Sequence, residues 1–253
     1  MMGRFKPGLC SVSFRGNSPE EIVRAASAAG LEYIEWGSDV HAPFDDAERL
    51  HNIAKLQEEY GIKCSSYGTY FRIGQTDIDE LERYVDCAKI LGTDLLRLWC
   101  GVKGSAVTDE NEEKELFDIC RKAAAIAEKN GVVLGMECHQ WTYTDTAESI
   151  ACLMDAVDSE SFRMYWQPNQ FRTFDENIRH IEMTGKYVTA VHIFNWEGDK
   201  RLPLADAAST WQDYLSRLDG EYPVLLEFMP DDKIESLGEE SVALRNILKG
   251  ELQ

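Results

Sequence analysis

No apolar run in the 253 residues reaches the roughly 18 that a membrane-spanning helix needs. The opening stretch, Met1-Met2-Gly3-Arg4-Phe5-Lys6, carries charge with no apolar core behind it, so no secretory signal is expected. Basic residues are scarce: 26 Lys and Arg stand against 45 Asp and Glu, a formal charge of −19. Such a field repels polyanions. With no cluster of Lys or Arg to counter it, neither nucleic acid nor an anionic membrane surface is an expected partner. The seven cysteines form no C-x-x-C pair. Their odd number, mostly in apolar stretches, reads as reduced and buried thiols of a cytoplasmic protein. Also missing are the G-x-G-x-x-G and G-x-x-x-x-G-K-[ST] phosphate turns and the G-x-S-x-G nucleophile elbow.

What is present is one cadence repeated. Short β-like runs fall at 9–13, 33–36, 62–67, 95–100, 132–137, 162–167, 188–194 and 224–228, with amphipathic helical stretches between them. Ser18-Pro19-Glu20-Glu21 opens the first helix with a cap, a proline and early acids. Gly30, Gly61, Gly92 and Gly131 close the first four. The acidic run at 109–113 suits the positive end of the fourth helix dipole and needs no ligand. Eight such units, the last helix at 234–248, predict a single (β/α)8 TIM barrel spanning 1–253 as one domain. An open doubly wound sheet would carry a Gly-rich turn after its first strand, where this chain has Phe14-Arg15-Gly16-Asn17-Ser18.

In such a barrel function sits where strands end. The polar residues there are Glu35, Arg97, Glu137, His139, Gln167, Asn169, His192, Asn195 and Glu227. Glu137, His192 and Glu227 end apolar runs on the fifth, seventh and eighth strands. Two carboxylates and an imidazole brought together at the axis need a compensating cation, or they raise one another's proton affinity. Carboxylate oxygen and imidazole nitrogen suit Mn, Mg, Co or Zn. Arg97, in a strand-like run, needs a carboxylate such as Glu35 or a substrate oxygen. His41, after the second strand, is a candidate for the pocket wall. So are aromatics near strand ends, Trp99 and Trp196 among them, which offer flat faces to a sugar ring. Lys200 and Arg201 form a basic pair near the mouth, read as a solvated loop.

The stretch Met136-Glu137-Cys138-His139-Gln140-Trp141-Thr142-Tyr143-Thr144-Asp145-Thr146 resembles the fifth-strand signature of the xylose isomerase-like TIM barrel superfamily, the sugar phosphate isomerase/epimerase group. Tyr33-Ile34-Glu35-Trp36, Arg97-Leu98-Trp99-Cys100-Gly101, Val191-His192-Ile193 and Leu226-Glu227-Phe228 extend the resemblance over nearly the whole chain. It implies one divalent metal, Mn2+ foremost, held by Glu, Asp, His and Glu from strands five to eight. Glu137, His192 and Glu227 carry over. The Asp does not: Gln167 stands in its place, and Phe194-Asn195 replaces a common Lys-Asp. A glutamine ligates through its amide oxygen without charge, so the metal is expected to bind less tightly and to act as a stronger Lewis acid.

The resemblance further implies a small sugar or sugar derivative as substrate, with Glu137 and Glu227 as ligands and proton carriers and His139 as the next candidate. Glu35, His41, Arg97, Trp99, Asn169 and Trp196 are the expected substrate contacts. The leading expectation is an isomerase or epimerase that moves a proton beside a carbonyl. The alternatives are a dehydratase or lyase acting on a keto-sugar or keto-glycoside, which shares the first step and ends in β-elimination, and a non-catalytic sugar-binding barrel, alone or as a subunit of a homo- or hetero-oligomer. A nuclease of the endonuclease IV type is disfavoured by five histidines in all and the negative charge.

Overall fold

The computed structural model describes residues 4–251. The strands are β1 (Phe5–Cys10), β2 (Tyr33–Gly37), β3 (Lys63–Ile73), β4 (Leu95–Cys100), β5 (Val133–Glu137), β6 (Phe162–Trp166) and β7 (Val188–Ile193). A two-stranded hairpin follows, β8 (Trp196–Glu197) and β9 (Lys200–Arg201), and then β10 (Tyr222–Leu226). All but the hairpin are parallel and close a barrel in the order β1-β10-β7-β6-β5-β4-β3-β2. The helices are α1 (Pro19–Ala28), α2 (Ala47–Tyr60), α3 (Leu81–Leu91), α4 (Glu110–Asn130), α5 (Ala147–Val157), α6 (Phe174–Thr184), α7 (Ala208–Ser216) and α8 (Leu237–Lys249). This is the (β/α)8 TIM barrel read from the cadence. No described helix is long and apolar enough to cross a membrane.

Helix starts follow the capping rules. Ser18 and Glu21, Asp109 and Glu112, and Thr173 and Glu176 each form reciprocal capping boxes. Gly61, Gly92 and Gly131 end α2, α3 and α4 with left-handed backbone, which glycine adopts without strain.

The barrel has two cores. The larger fills the annulus between strands and helices. The smaller lies inside the barrel, where Cys10, Leu95, Tyr165, Ala190 and Leu225 plug the axis. Polar side chains sit on top of that plug.

Several boundaries differ from the expected ones. β1 begins at Phe5 rather than residue 9, because Pro7-Gly8 hides a strand: both residues pair in register with Val224 and Leu225 of β10. β3 runs past Tyr67 to Ile73 through a register shift between Gly68 and Arg72, with Tyr70 at φ 55°. β10 ends at Leu226, so Glu227 is the first residue beyond its strand. Six cysteines are buried as expected, but Cys152 is exposed.

Candidate active site

Glu137 is the last residue of β5 and is buried. Its Oε2 accepts hydrogen bonds from Arg97 Nη1 and from the indole Nε1 of Trp99. Arg97, buried in β4, also donates through Nε to Glu35 Oε1 at 3.0 Å. The second Glu35 oxygen accepts from Ser66 Oγ at 3.0 Å. Gly68 makes room for this bridge. A Cβ there would lie 2.9 Å from Arg97 Nη2 and 3.0 Å from Glu35 Oε1, tighter than side-chain carbons sit.

His192, fully buried in β7, lies between two acidic groups. On one side Nδ1 is 3.0 Å from Gln167 Oε1, 3.6 Å from Glu227 Oε2 and 3.8 Å from Glu137 Oε1. On the other, Nε2 has no hydrogen-bond partner among the described residues, and Glu35 Oε2 lies 3.6 Å from it. The ring packs against Tyr165 at 4.6 Å. Gln167 is oriented by its own Nε2, which donates to the Cys138 carbonyl at 3.1 Å and turns Oε1 toward the histidine.

Charge explains the proton affinities. Burial would raise the Glu35 carboxyl, but Arg97 and His192 outweigh it and hold it at about 2. Burial opposes ionisation of Glu137 too, and Arg97 again wins and lowers it. Glu227 has no donor of its own, so burial and the Glu137 charge raise it despite His192. Burial disfavours a charged His192, yet Glu227 and Glu35 push its proton affinity up.

The donor set fits a divalent cation. Glu137, Glu227 and Gln167 each turn an oxygen that only accepts toward His192 Nδ1. With the ring proton on Nε2, facing Glu35, the Nδ1 lone pair joins those three oxygens, and four acceptors meet with no donor among them. The buried charges tell the same story. Three carboxylates, Glu35, Glu137 and Glu227, share one guanidinium, and the excess of acidic groups is what raises the proton affinities of Glu227 and His192. Glu137, His192 and Glu227 offer ligand atoms within 4.8 Å of one another.

A cavity opens above the cluster. Glu137, His139, Gln140, Gln167, Asn169, Gln170, Trp196, Glu227 and Phe228 line it. His139 Nδ1 donates to the Gln140 carbonyl at 2.7 Å, which leaves Nε2 with a lone pair. Its ring lies 5.2 Å from Trp99, which is itself covered by Arg72 at 4.2 Å.

Of the expected substrate contacts, Asn169 and Trp196 line the cavity, and Trp99 stands beside it, tied to Glu137. Three others are placed differently. Glu35 and Arg97 are sealed beneath the cluster at 1% and 3% exposure, paired with each other. His41 is neither on the pocket wall nor on the surface: it is fully buried, with Nε2 against the Asn17 carbonyl at 3.2 Å and its ring edge-on to Trp36. The loop after β2 folds inward and carries it into the core. Arg201 is not a free solvated charge, since it pairs with Asp232 and stacks over Phe228 and Trp196. Sequence reasoning missed Ser66, Gly68 and Phe228. Gly68 and Ser66 break the apolar pattern of β3, which is the one signal they leave.

The xylose isomerase-like TIM barrel family model matches residues 23–245. The chain belongs to that family. A 3-dehydroshikimate dehydratase from Bacillus anthracis is 26% identical over 171 residues, a match spanning 63% of this chain and 60% of that relative. Among solved structures, the probable 3-DHS dehydratase AsbF from Bacillus anthracis superposes with a TM-score of 0.78 at 16% identity, covering 96% of this chain and 98% of that one. A D-allulose 3-epimerase from Methylomonas sp. in complex with D-allulose gives 0.73 at 16%, covering 97% of each chain. The IOLI protein with a bound zinc atom gives 0.74 at 17%, covering 97% of each. These three solved structures share the fold of this chain.

Proposed function

We propose that this chain is a divalent-metal-dependent enzyme that removes a proton beside the carbonyl of a polyhydroxylated small molecule and expels the oxygen substituent on the next carbon. The observation that carries the reading is the convergence of Glu137 Oε1, Gln167 Oε1, Glu227 Oε2 and His192 Nδ1 at the floor of the cavity. When bound there, a divalent cation supplies Lewis-acid polarisation of a carbonyl.

The chain's own residues divide the remaining work. Glu137 is a ligand without proton duty, because Arg97 and Trp99 take one oxygen and the other faces the cluster. An epimerase scheme with Glu137 and Glu227 as proton carriers on opposite faces is poorly served by this geometry. His139 is better placed: its Nδ1–H is spent on the Gln140 carbonyl and Nε2 is free to accept a proton. One carrier suffices for elimination, since the proton taken from carbon goes to the departing oxygen. The 26% identity to a dehydratase supports that choice.

The test is product mass. Protein loaded with Mn2+ is offered 3-dehydroshikimate and, separately, D-allulose. A product lighter by one water supports elimination. An isomer of unchanged mass would favour epimerisation. A His139→Asn variant is expected to keep its metal and lose at least a hundredfold in kcat. Retained turnover would remove His139 from this role.

A further inference from the structure

A second cavity adjoins the first. The two share Pro168, Asn169, Gln170, Phe194 and Trp196, so the cleft above the cluster continues outward between the loop after β6 and helix α7. Resting on the elimination reading, we infer that this second cavity is a binding subsite for a hydroxylated ring joined to the reacting ring, so that the group expelled is a second sugar, leaving through its hydroxyl oxygen, rather than water.

The walls are built rather than loose. Asn177 fixes the loop after β6 by accepting from Asn169 N at 2.9 Å and donating to Asn169 O at 3.1 Å. Trp211 Nε1 fixes the end of β7 by donating to Phe194 O at 2.7 Å. Asn195 Nδ2 donates to Pro203 O at 2.8 Å, which leaves its own amide oxygen available.

The lining chemistry selects the occupant. Trp196 supplies aromatic surface, and Gln170, Asn195 and Thr210 supply neutral donors and acceptors. Aromatic surface plus neutral amides suits the apolar C–H face and the hydroxyls of a sugar ring. Among the described residues no carboxylate lines the second cavity, in a chain with 45 acidic residues. Among the described lining residues its cation is Arg172, which spends one guanidinium N–H on the Asp145 carbonyl at 2.7 Å and keeps its charge and further donors for a ring hydroxyl.

The reaction balances without an oxidant. The carbon between the carbonyl and the glycosidic carbon gives up its proton to His139. Its bonding pair forms the new C=C, the glycosidic C–O bond breaks with its electrons on oxygen, and that oxygen takes the proton. The products are an unsaturated keto ring and a free sugar.

The experiment compares 3-ketocellobiose with methyl 3-ketoglucoside on the Mn2+-loaded enzyme, following release of glucose and of methanol. The expected kcat/KM is at least tenfold higher for the disaccharide. Thr210→Trp, which fills the cavity from α7, and Gln170→Ala, on the loop opposite, should each bring the ratio toward one. Equal use of both probes by the wild type, or a ratio unmoved in both variants, would overturn the subsite and leave the elimination reading standing. If neither probe reacts, the elimination reading stands or falls on 3-dehydroshikimate, and calorimetric binding of the two probes decides the subsite. Tenfold tighter disaccharide binding that both variants lessen keeps it, and equal affinity overturns it.

Discussion

Glu35 stands directly behind His192, with Oε2 3.6 Å from Nε2 and no other partner on that nitrogen. A carboxylate on the far nitrogen of a metal-binding histidine fixes its tautomer and raises its basicity. Arg97 ties the same carboxylate to Glu137, so one guanidinium holds one candidate ligand directly and another through Glu35. Glu35→Gln should therefore weaken Mn2+ binding about 10- to 100-fold. Titration calorimetry on the folded variant reads this, and an unchanged affinity would return Glu35 to a purely structural role.

Gly68→Ala tests the bridge from its other side. The added methyl meets Arg97 Nη2 and Glu35 Oε1 at about 3 Å with buried neighbours on all sides. Overpacking of this kind costs about 1–3 kcal/mol. Urea unfolding of the metal-free protein should show that loss, together with weaker Mn2+ binding. A variant as stable as the wild type would mean the pair has slack that the packing does not suggest.

How much of this was legible beforehand follows from which interactions are local. The strand–helix cadence, the helix caps and the polar strand ends are written in short windows, so the barrel and the Glu137, His192 and Glu227 cluster could be read directly. Gln167 announced itself as a departure in place. The pairing of Arg97 with Glu35 was one of the readings open in the sequence, but that the pair lies sealed below the cavity, and that His41 lies in the core, could not be read, because burial depends on the bulge in β3 and on the path of the loop after β2. A polar residue at a strand end looks the same whether it faces the cavity or sits one layer below. The β8–β9 hairpin is likewise too short to show a period of its own.

Gln167→Glu restores a charge to the candidate metal centre at nearly constant shape. Without metal, a further carboxylate joins Glu137 and Glu227 around His192, and the protein should melt lower than the wild type. With Mn2+ the order should reverse, as binding tightens by about tenfold, or about 1.4 kcal/mol. Addition of a chelator should lower the melting temperature of both loaded forms, the variant by more. Melting curves that never cross would show that the amide at 167 is not a ligand.

Away from the site, His180 predicts a pH dependence of stability. Its Nδ1 accepts from Trp166 Nε1 at 3.0 Å, a bond that a protonated ring cannot make. Burial, helped by Arg172, pulls the ring down to about 4, against about 6.5 in the unfolded chain. Between those values the unfolded chain binds a proton that the folded one refuses. Stability is therefore full above pH 6.5, falls as the pH drops toward 4, and gains no further loss from this group below that. The shift corresponds to about 3 kcal/mol. Other groups titrate in the same window, so the informative quantity is the difference between the wild type and His180→Asn, which keeps an acceptor and cannot be protonated. Urea unfolding at pH 7 and pH 4.5 should give the wild type the larger drop by about 2–3 kcal/mol. Equal drops would mean that His180 opens to solvent before it charges, and that the Trp166 bond does not hold the ring neutral.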